Sequence, residues 1–325
     1  MPASRVAVVI VNYNAGDYLD DCLKAMLAQT RQPDRVIVVD NNSSDDSINL
    51  LESYPDWFCL LPLAWNTGFA VANNIAISYL LEYDYVALLN PDTVAETEWL
   101  EHLLAATTRH GSADCYGSRM LSFDGENLDG TGDDYHVCGL YWRRDNGTPV
   151  SKGAMAESEI FSACAAAALY PRKGLTDIAG FDEDYFCYSE DIDLGFRLRS
   201  RGSRIWYVPD AVVRHAGSGT TGRHSEFSVY HGHRNLVWTF VQNMPGRYFW
   251  IHLPEHLLMN LVTVLHFSLR GHARTILRAK WHALLGLGRA LSKRKLNRYM
   301  SRVSPEALIA PMRRGFLTPY LRRHE

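Results

Sequence analysis

The sequence lacks paired cysteines, a long uninterrupted apolar run and a basic stripe, and each absence removes a class of protein. Its six cysteines (Cys22, Cys59, Cys115, Cys138, Cys164 and Cys187) are scattered over 325 residues, with no Cys-x-x-Cys pair and no metal-type spacing. In a chain this long they read as small buried hydrophobes in a reducing compartment, not as a disulfide framework or a zinc site. Near the start, the apolar run at residues 6–11 is too short for the core of a signal peptide, so the catalytic part is expected in the cytoplasm. No basic residues alternate with aromatics along the body, which argues against nucleic acid as a partner. With 47% hydrophobic residues, disorder is also excluded.

What is present is unevenly charged. The net charge of −3 conceals 18 basic against 33 acidic side chains in residues 1–246, and 15 against 3 in residues 247–325. A basic tail on an acidic body suggests that the tail meets something anionic.

Residues 6–11 form a β-branched run that ends at Asn12-Tyr13-Asn14, a strand buried on both faces that feeds a polar loop. Residues 18–29 carry a helical stripe (Leu19, Cys22, Leu23, Met26, Leu27). A second buried strand, residues 35–40, closes on Asn41-Asn42-Ser43-Ser44-Asp45-Asp46, which also supplies cap chemistry for a helix through Leu51. Residues 58–63 predict a third strand, 68–81 a helix, 85–89 a fourth strand ending at Asn90-Pro91-Asp92, and 99–109 a helix. Strands alternating with helices at this interval predict an α/β fold, a doubly wound and mostly parallel sheet of Rossmann-like type. In such sheets ligands sit beyond the carboxyl ends of the strands, and the three polar clusters at 12–14, 40–46 and 90–92 all fall there.

Further on, residues 125–149 are rich in Gly, Asp and Asn and read as an irregular segment near the site. Residues 162–170 are small and apolar, and a helix is expected near 174–179. Residues 204–208 form another strand, and 212–215 lead into a Gly/Ser/Thr stretch at 216–222. From about residue 226 the pattern is helical. The expected division is a catalytic domain over 1–225 and a helical, basic extension over 226–325.

Several side chains carry chemistry. Asp92, held at the end of an apolar strand, can ligate a hard divalent cation that bridges a diphosphate. Ser189-Glu190-Asp191-Ile192-Asp193 puts three carboxylates within four residues, which costs energy unless a metal, a proton transfer or a helix N-terminus uses them. One of these acids can deprotonate an attacking hydroxyl. His215 can complete a metal's coordination. Asp40 can accept hydrogen bonds from a base or ribose, and Asn66-Thr67-Gly68-Phe69-Ala70 can offer backbone N–H groups to a diphosphate. Taken singly, each also reads as a turn, a cap or a structural histidine; their shared place at strand ends favours chemistry.

Taken together, Val11-Asn-Tyr-Asn14, Val39-Asp-Asn-Asn-Ser-Ser44, Asn66-Thr-Gly-Phe-Ala70, Leu89-Asn-Pro-Asp-Thr93, Gly180-Phe-Asp-Glu183, Ser189-Glu-Asp-Ile-Asp-Leu194 and residues 209–215 resemble the family 2 glycosyltransferases of the GT-A fold, in particular bacterial rhamnosyltransferase-like members. The resemblance covers residues 6 to about 235. It implies a nucleotide pocket at Asn12, Tyr13, Asn14, Asp40 and Asn41, with Asn66, Gly68 and Asn90 beside it. Asp92 resembles the last acid of the family's DxD motif, with Asn90 in place of the first acid and so fewer charged ligands. Asp191 matches the catalytic base of the family's Glu-Asp motif, with Glu190 its neighbour, and His215 matches a metal or diphosphate contact. The Gln-x-x-Arg-Trp motif of processive members is missing, and Gly232-His-Arg-Asn-Leu-Val-Trp238 stands in its neighbourhood.

The resemblance therefore implies an inverting transfer of one sugar, assisted by Mg²⁺ or Mn²⁺, from a nucleotide-sugar donor to a glycan or lipid-linked acceptor in cell-surface polysaccharide synthesis. dTDP-L-rhamnose is the donor nearest the resemblance, with UDP-hexoses and UDP-galactofuranose open. A sugar nucleotidyltransferase would need a Gly-rich basic loop after strand one, and residues 12–17 have one Gly and no Lys or Arg. A non-catalytic scaffold would be marked by a lost base, yet Asp191 is present.

Residues 248–269 are apolar, but Pro254, Glu255, His256 and Asn260 interrupt them, and a charge at mid-span costs about 2.5–3.5 kcal/mol. No crossing of a membrane is expected. Residues 275–291 set Leu277, Trp281, Leu284, Gly288 and Leu291 against Arg274, Arg278 and Arg289, and Lys293-Arg-Lys295 follows. This amphipathic basic helix is expected to dock peripherally on the anionic inner face of the plasma membrane. The competing reading packs it on the catalytic domain or on a second copy, so a homo-oligomer stays open.

Overall fold

A computed structural model describes residues 4–153, 155–217, 225–316 and 318. The expected Gly/Ser/Thr stretch therefore lies outside the described residues from 218 onward. In chain order the elements are β1 (Val6–Asn12), α1 (Asp17–Leu27), β2 (Arg35–Asp40), β3 (Phe58–Pro62), α2 (Phe69–Ser78), β4 (Tyr85–Leu89), β5 (Thr93–Ala95), α3 (Trp99–Arg109) and β6 (Cys115–Ser122). The short strands β7 (Leu128–Gly130), β8 (Asp133–Tyr135), β9 (Tyr141–Arg143) and β10 (Ser158–Glu159) follow, then β11 (Ala167–Pro171), α4 (Arg172–Asp177), α5 (Glu190–Ser200) and β12 (Ile205–His215). The chain ends in α6 (Glu226–Asn243), α7 (Tyr248–Phe267), α8 (Ala273–Leu285), α9 (Leu287–Met300) and α10 (Pro305–Ile309).

The main sheet runs β10-β12-β6-β11-β4-β1-β2-β3, with β5 on β12 and β7 on β6. The β1–β2, β1–β4, β2–β3 and β6–β12 pairs are parallel, while β11 lies antiparallel between β4 and β6. Alternation along β1 fixes the two layers. Val6, Val8 and Ile10 pack with α1 and α3, and Ala7 and Val9 with α2, α4 and α5. A strand clothed on both faces has no polar side, which is why these segments read as continuous apolar runs.

The structure departs from the sequence reading in three places. Residues 46–53 form a 3₁₀ helix, capped by Asp45, which runs two residues past the expected end at Leu51. Residues 167–171 are a central strand although they are alanine-rich; alanine has little strand preference, and pairing on both sides supplies what propensity does not. The strand expected over 204–208 runs on to His215, and its register against β6 slips between Val208 and Val212, where Pro209 lacks an N–H for the ladder.

The C-terminal helices join the body through an aromatic and aliphatic cluster. Tyr185, Ile192 and Phe196 of the catalytic region meet Trp238, Phe240, Phe249 and Ile309 there. Polar ties reinforce it: Asn243 donates to Asp193 at 2.7 Å, and Lys293 pairs with Asp184 at 2.6 Å and with Asp182. Residues on either side of position 225 thus share one core.

Candidate functional site

A cleft of about 1970 Å³ opens at the carboxyl ends of β1, β2 and β4. Tyr13, Asn14, Asn41, Asn66, Gly68, Asn90, Asp92, Glu190, Asp191 and His215 all line it. Asn12 and Asp40 do not: they lie buried beneath its wall. There the Asn12 amide donates to Asp40 at 3.2 Å, Ser43 at 3.1 Å and Ser47 at 2.9 Å, and the second Asp40 oxygen accepts from the Ser43 N–H at 3.2 Å. These two residues shape the loop that presents Tyr13 and Asn14.

The loop geometry on this side is set by side chains that substitute for regular structure. Asn14, at φ 52°, accepts from the Ser44 N–H at 2.7 Å. Asn41 accepts from the Thr67 N–H at 2.7 Å and donates to the Gly68 carbonyl at 3.3 Å, tying β2 to the start of α2. Gly68 has φ 83°, and a Cβ there would lie 2.5 Å from the Phe186 carbonyl, so only glycine fits.

Asp92 and His215 meet because β5 pairs with the end of β12, setting Thr93 opposite His215. The Ala216 N–H donates to the Asp92 carbonyl at 2.9 Å. Asp92 Oδ1 lies 3.3 Å from His215 Nε2, and Asp129 Oδ2 lies 2.8 Å from Nδ1 of the same ring. Arg143 pairs with Asp129 in turn. Burial alone would lower the His215 pKa, but the hydrogen bonds to Asp129 and Asp92 outweigh it and raise the pKa above the ordinary histidine value.

Asp191 stands in the first turn of α5, whose N-cap Ser189 and preceding Tyr188 both have φ 68°. Two consecutive non-glycine residues in the left-handed region mark stored backbone strain beside the cleft. Tyr141 contacts the Ser189 hydroxyl at 2.7 Å, and Ser162 donates to the Asp191 carbonyl at 2.8 Å. Burial raises the Asp191 pKa, against the opposing hydrogen bond from the Ile192 N–H and the charge of Arg143. Glu190 is pushed well above the usual carboxylate range by burial and by Asp191, and its Oε2 is buried without a hydrogen-bond partner. The third acid of the motif behaves differently. Asp193 turns into the body, bonded to Arg197 at 2.6 Å and to Asn243.

Sequence reading missed Asp129, Asp133, Arg143 and Cys164, all on the cleft wall. The first three fall in the 125–149 segment, where short strands gave no period to read. The available signal was acidic residues beside the aromatics Tyr135, Tyr141 and Trp142. Pairing of β8 with β9 sets Asp133 opposite Arg143. Asp133 is buried with Oδ2 unpartnered, and burial and then the Asp191 charge push its pKa well up.

The donor set suits a divalent cation. Eight of the lining residues are Asp or Glu and one is Arg, so a diphosphate entering this cleft would be repelled unless a cation came with it. Asp92 and His215 offer one carboxylate oxygen and one imidazole nitrogen to the same space, with the other ring nitrogen engaged by Asp129. A second group, Asp133, Cys164 and Asp191, has ligand atoms within 4.8 Å of one another. It is the poorer candidate for Mg²⁺ or Mn²⁺, because a cysteine sulfur is a soft ligand and these hard ions favour oxygen.

Comparison with known proteins agrees with this geometry. The model of the family described as "Glycosyl transferase family 2" matches residues 7–178. The N-acetylglucosaminyl-diphospho-decaprenol L-rhamnosyltransferase of Mycobacterium tuberculosis is 30% identical over 238 residues, covering 66% of this chain and 77% of that one. Rhamnosyltransferase WbbL of Escherichia coli is 27% identical, covering 63% and 80%. Among solved structures, GalNAc-T7 with UDP, GalNAc and Mn²⁺ superposes with a TM-score of 0.62 at 13% identity, over 78% of this chain and 51% of that one. TarS of S. aureus superposes at 0.53 with 19% identity, over 78% and 43%. At these identities the two structures speak for the fold alone.

Proposed function

The chain belongs to glycosyl transferase family 2, and from that premise we propose that it moves a single sugar, with inversion, from a nucleoside-diphosphate sugar to a hydroxyl of a glycan or lipid-linked acceptor. It is rhamnosyltransferase-like, so dTDP-L-rhamnose is the donor to test first. The observation that carries the reading is that Asp92, Asp191 and His215, far apart in sequence, open into one cleft.

In this mechanism Tyr13, Asn14, Asn41, Asn66 and Gly68 receive the nucleotide. Asp191 takes the proton of the acceptor hydroxyl as its oxygen attacks the anomeric carbon, and the bond to the diphosphate breaks on the opposite face of the sugar. Such general-base help is worth roughly 10²–10⁴ in rate. Asp92 and His215 would hold Mg²⁺ or Mn²⁺, which supplies positive charge to the departing diphosphate. Relatives named for a diphospho-decaprenol acceptor and for an O-antigen chain support a place in cell-surface polysaccharide assembly, and the reading puts the protein on the cytoplasmic face of the membrane.

The test is a screen of thermal shift and donor hydrolysis across dTDP-rhamnose, UDP-hexoses and UDP-galactofuranose, with Mn²⁺ or with EDTA. One donor should raise the melting temperature and be hydrolysed only with the ion. If no nucleotide sugar does either, the reading falls.

A further inference from the structure

Helix α7 turns His256 and Asn260 inward. His256 is 3% exposed, 2.8 Å from the Cys138 carbonyl and stacked on Phe240 with centroids 3.9 Å apart. Asn260 accepts from Lys280 of α8 at 2.6 Å. Of the residues that interrupt the apolar run in the sequence, His256 and Asn260 thus face the protein, while Glu255 is half-buried beside His252 and Pro254 is exposed. The outer face is apolar: Trp250 is 70% exposed, Leu257 60%, Leu261 66%, Leu265 61% and, just past the helix, Leu269 80%. No exposed position of α7 is Asp, Glu, Lys or Arg. The stripe spans a helix of 20 residues, about 30 Å long. No described helix is long and apolar enough to cross a membrane. On α8, Leu277, Trp281 and Leu284 are exposed beside Arg274 and Arg278, and Arg270 is exposed at the turn between the helices.

We propose that the outer face of α7, with the adjoining face of α8, is an in-plane seat on an anionic phospholipid bilayer. The inference deepens the proposed contact with membrane, on which it rests, and moves its centre from the basic helix to α7. Apolar residues at i, i+4, i+7 and i+8 that point outward, a tryptophan at one end and arginines at the other are the composition of a helix lying at the headgroup boundary. Charge complementarity selects the occupant. Arg270, Arg274 and Arg278 are exposed on this face and α8 has no Asp or Glu, so two copies meeting face to face would set arginines against arginines, whereas an anionic leaflet neutralises them. The inner side of the same helix holds the cleft wall: Met259 packs with Cys138, Leu140 and Tyr141, and the last two line the cleft. Seating α7 therefore brings that wall close to the bilayer, where a lipid-linked acceptor presents its hydroxyl.

The full chain should float with extruded vesicles of 70:30 phosphatidylcholine to phosphatidylglycerol, and less with phosphatidylcholine alone. Leu261→Glu/Leu265→Glu should lower the bound fraction by about tenfold or more. It should hydrolyse the nucleotide-sugar donor in solution at the wild-type rate, because neither residue touches the cleft. The proposal is overturned if wild type stays unbound at low salt with anionic vesicles. It is equally overturned if the double variant floats like wild type, or if lipid-free wild type is a stable dimer that the double variant dissociates. Donor hydrolysis without flotation would leave the transfer reading standing and remove this one; flotation without hydrolysis of any donor would do the reverse.

Discussion

Asp129 Oδ2 lies 2.8 Å from Nδ1 of His215, which leaves Nε2 of the same ring turned toward Asp92. A carboxylate behind an imidazole fixes which nitrogen carries the proton and aims the other, and losing such a partner typically costs 10–100-fold in metal affinity. Asp129→Ala should therefore weaken Mn²⁺ binding, in the presence of the nucleoside diphosphate, by about that factor. Asp129→Asn, whose amide oxygen can still accept from Nδ1–H, should lose less. Titration of free Mn²⁺ by electron paramagnetic resonance measures both, and equal affinity in all three proteins would refute the role.

Asp191→Asn keeps the shape of the α5 N-terminus and removes the proton acceptor. Turnover should fall roughly 10²–10⁴-fold, while the thermal shift with donor and Mn²⁺ stays close to that of wild type. Initial rates on an acceptor substrate decide it; near-wild-type turnover would move the base elsewhere, with Glu190 and Asp133 the neighbours to test next.

The pH dependence of that base has a defined direction. Burial raises the Asp191 pKa above its ordinary value, and the Arg143 charge partly offsets this. The base acts only when ionised, so kcat/KM should fall as pH drops through the raised pKa, placing the acid limb above the ordinary aspartate value of about 4. Arg143→Met removes the positive charge from Asp191 and also from Asp129 and Asp133, which favours the protonated acid and moves the limb to higher pH. Arg143→Lys, which keeps the charge, should move it less. An acid limb unmoved by Arg143→Met would show that this cation does not tune the base.

Periodicity made the first half of the fold legible because β1, β2 and β4 are buried on both faces and their loops carry polar clusters. It failed for β11, whose alanines are a strand only because two neighbours pair with them, and for residues 125–149. There Asp129, Asp133 and Arg143 reach the cleft through pairings that leave no local pattern. The three acids of 189–193 looked alike in sequence, yet burial separates them: Asp191 lines the cleft and Asp193 bonds Arg197. The outward apolar face of α7 was hidden for a related reason, since hydropathy averages a helix around its circumference and cannot say which side meets protein.

The Asp193–Arg197 pair is a structural tie and should answer to stability measurements. Asp193 is 0% exposed, and Arg197 donates to it at 2.6 Å and also to the Ile178 and Gly180 carbonyls. Arg197→Met strands a buried carboxylate and two carbonyls, so urea unfolding should show a loss of about 3–5 kcal/mol, the range for breaking a buried pair. A loss below 1 kcal/mol would mean that water reaches Asp193 once the arginine is gone.

Gly68 joins the nucleotide side of the cleft to the base side. Its Cβ position lies 2.5 Å from the Phe186 carbonyl, an atom that also accepts from the Phe69 N–H at 2.8 Å and lies five residues before Asp191. Gly68→Ala must either break that bond or push the 186–189 turn outward, and φ 83° adds backbone strain of order 1–3 kcal/mol for a side-chain-bearing residue. The displaced turn carries the N-terminus of α5, so kcat should fall along with a rise in donor KM. A pure binding loop would change KM alone. Gly232→Ala is the matched control: it lies within α6 with nothing within 4 Å of the new methyl, and should leave both constants unchanged while stabilising the helix by up to about 1 kcal/mol. If Gly68→Ala shifts KM and leaves kcat alone, the two sides of the cleft are mechanically independent and the coupling through Phe186 is absent.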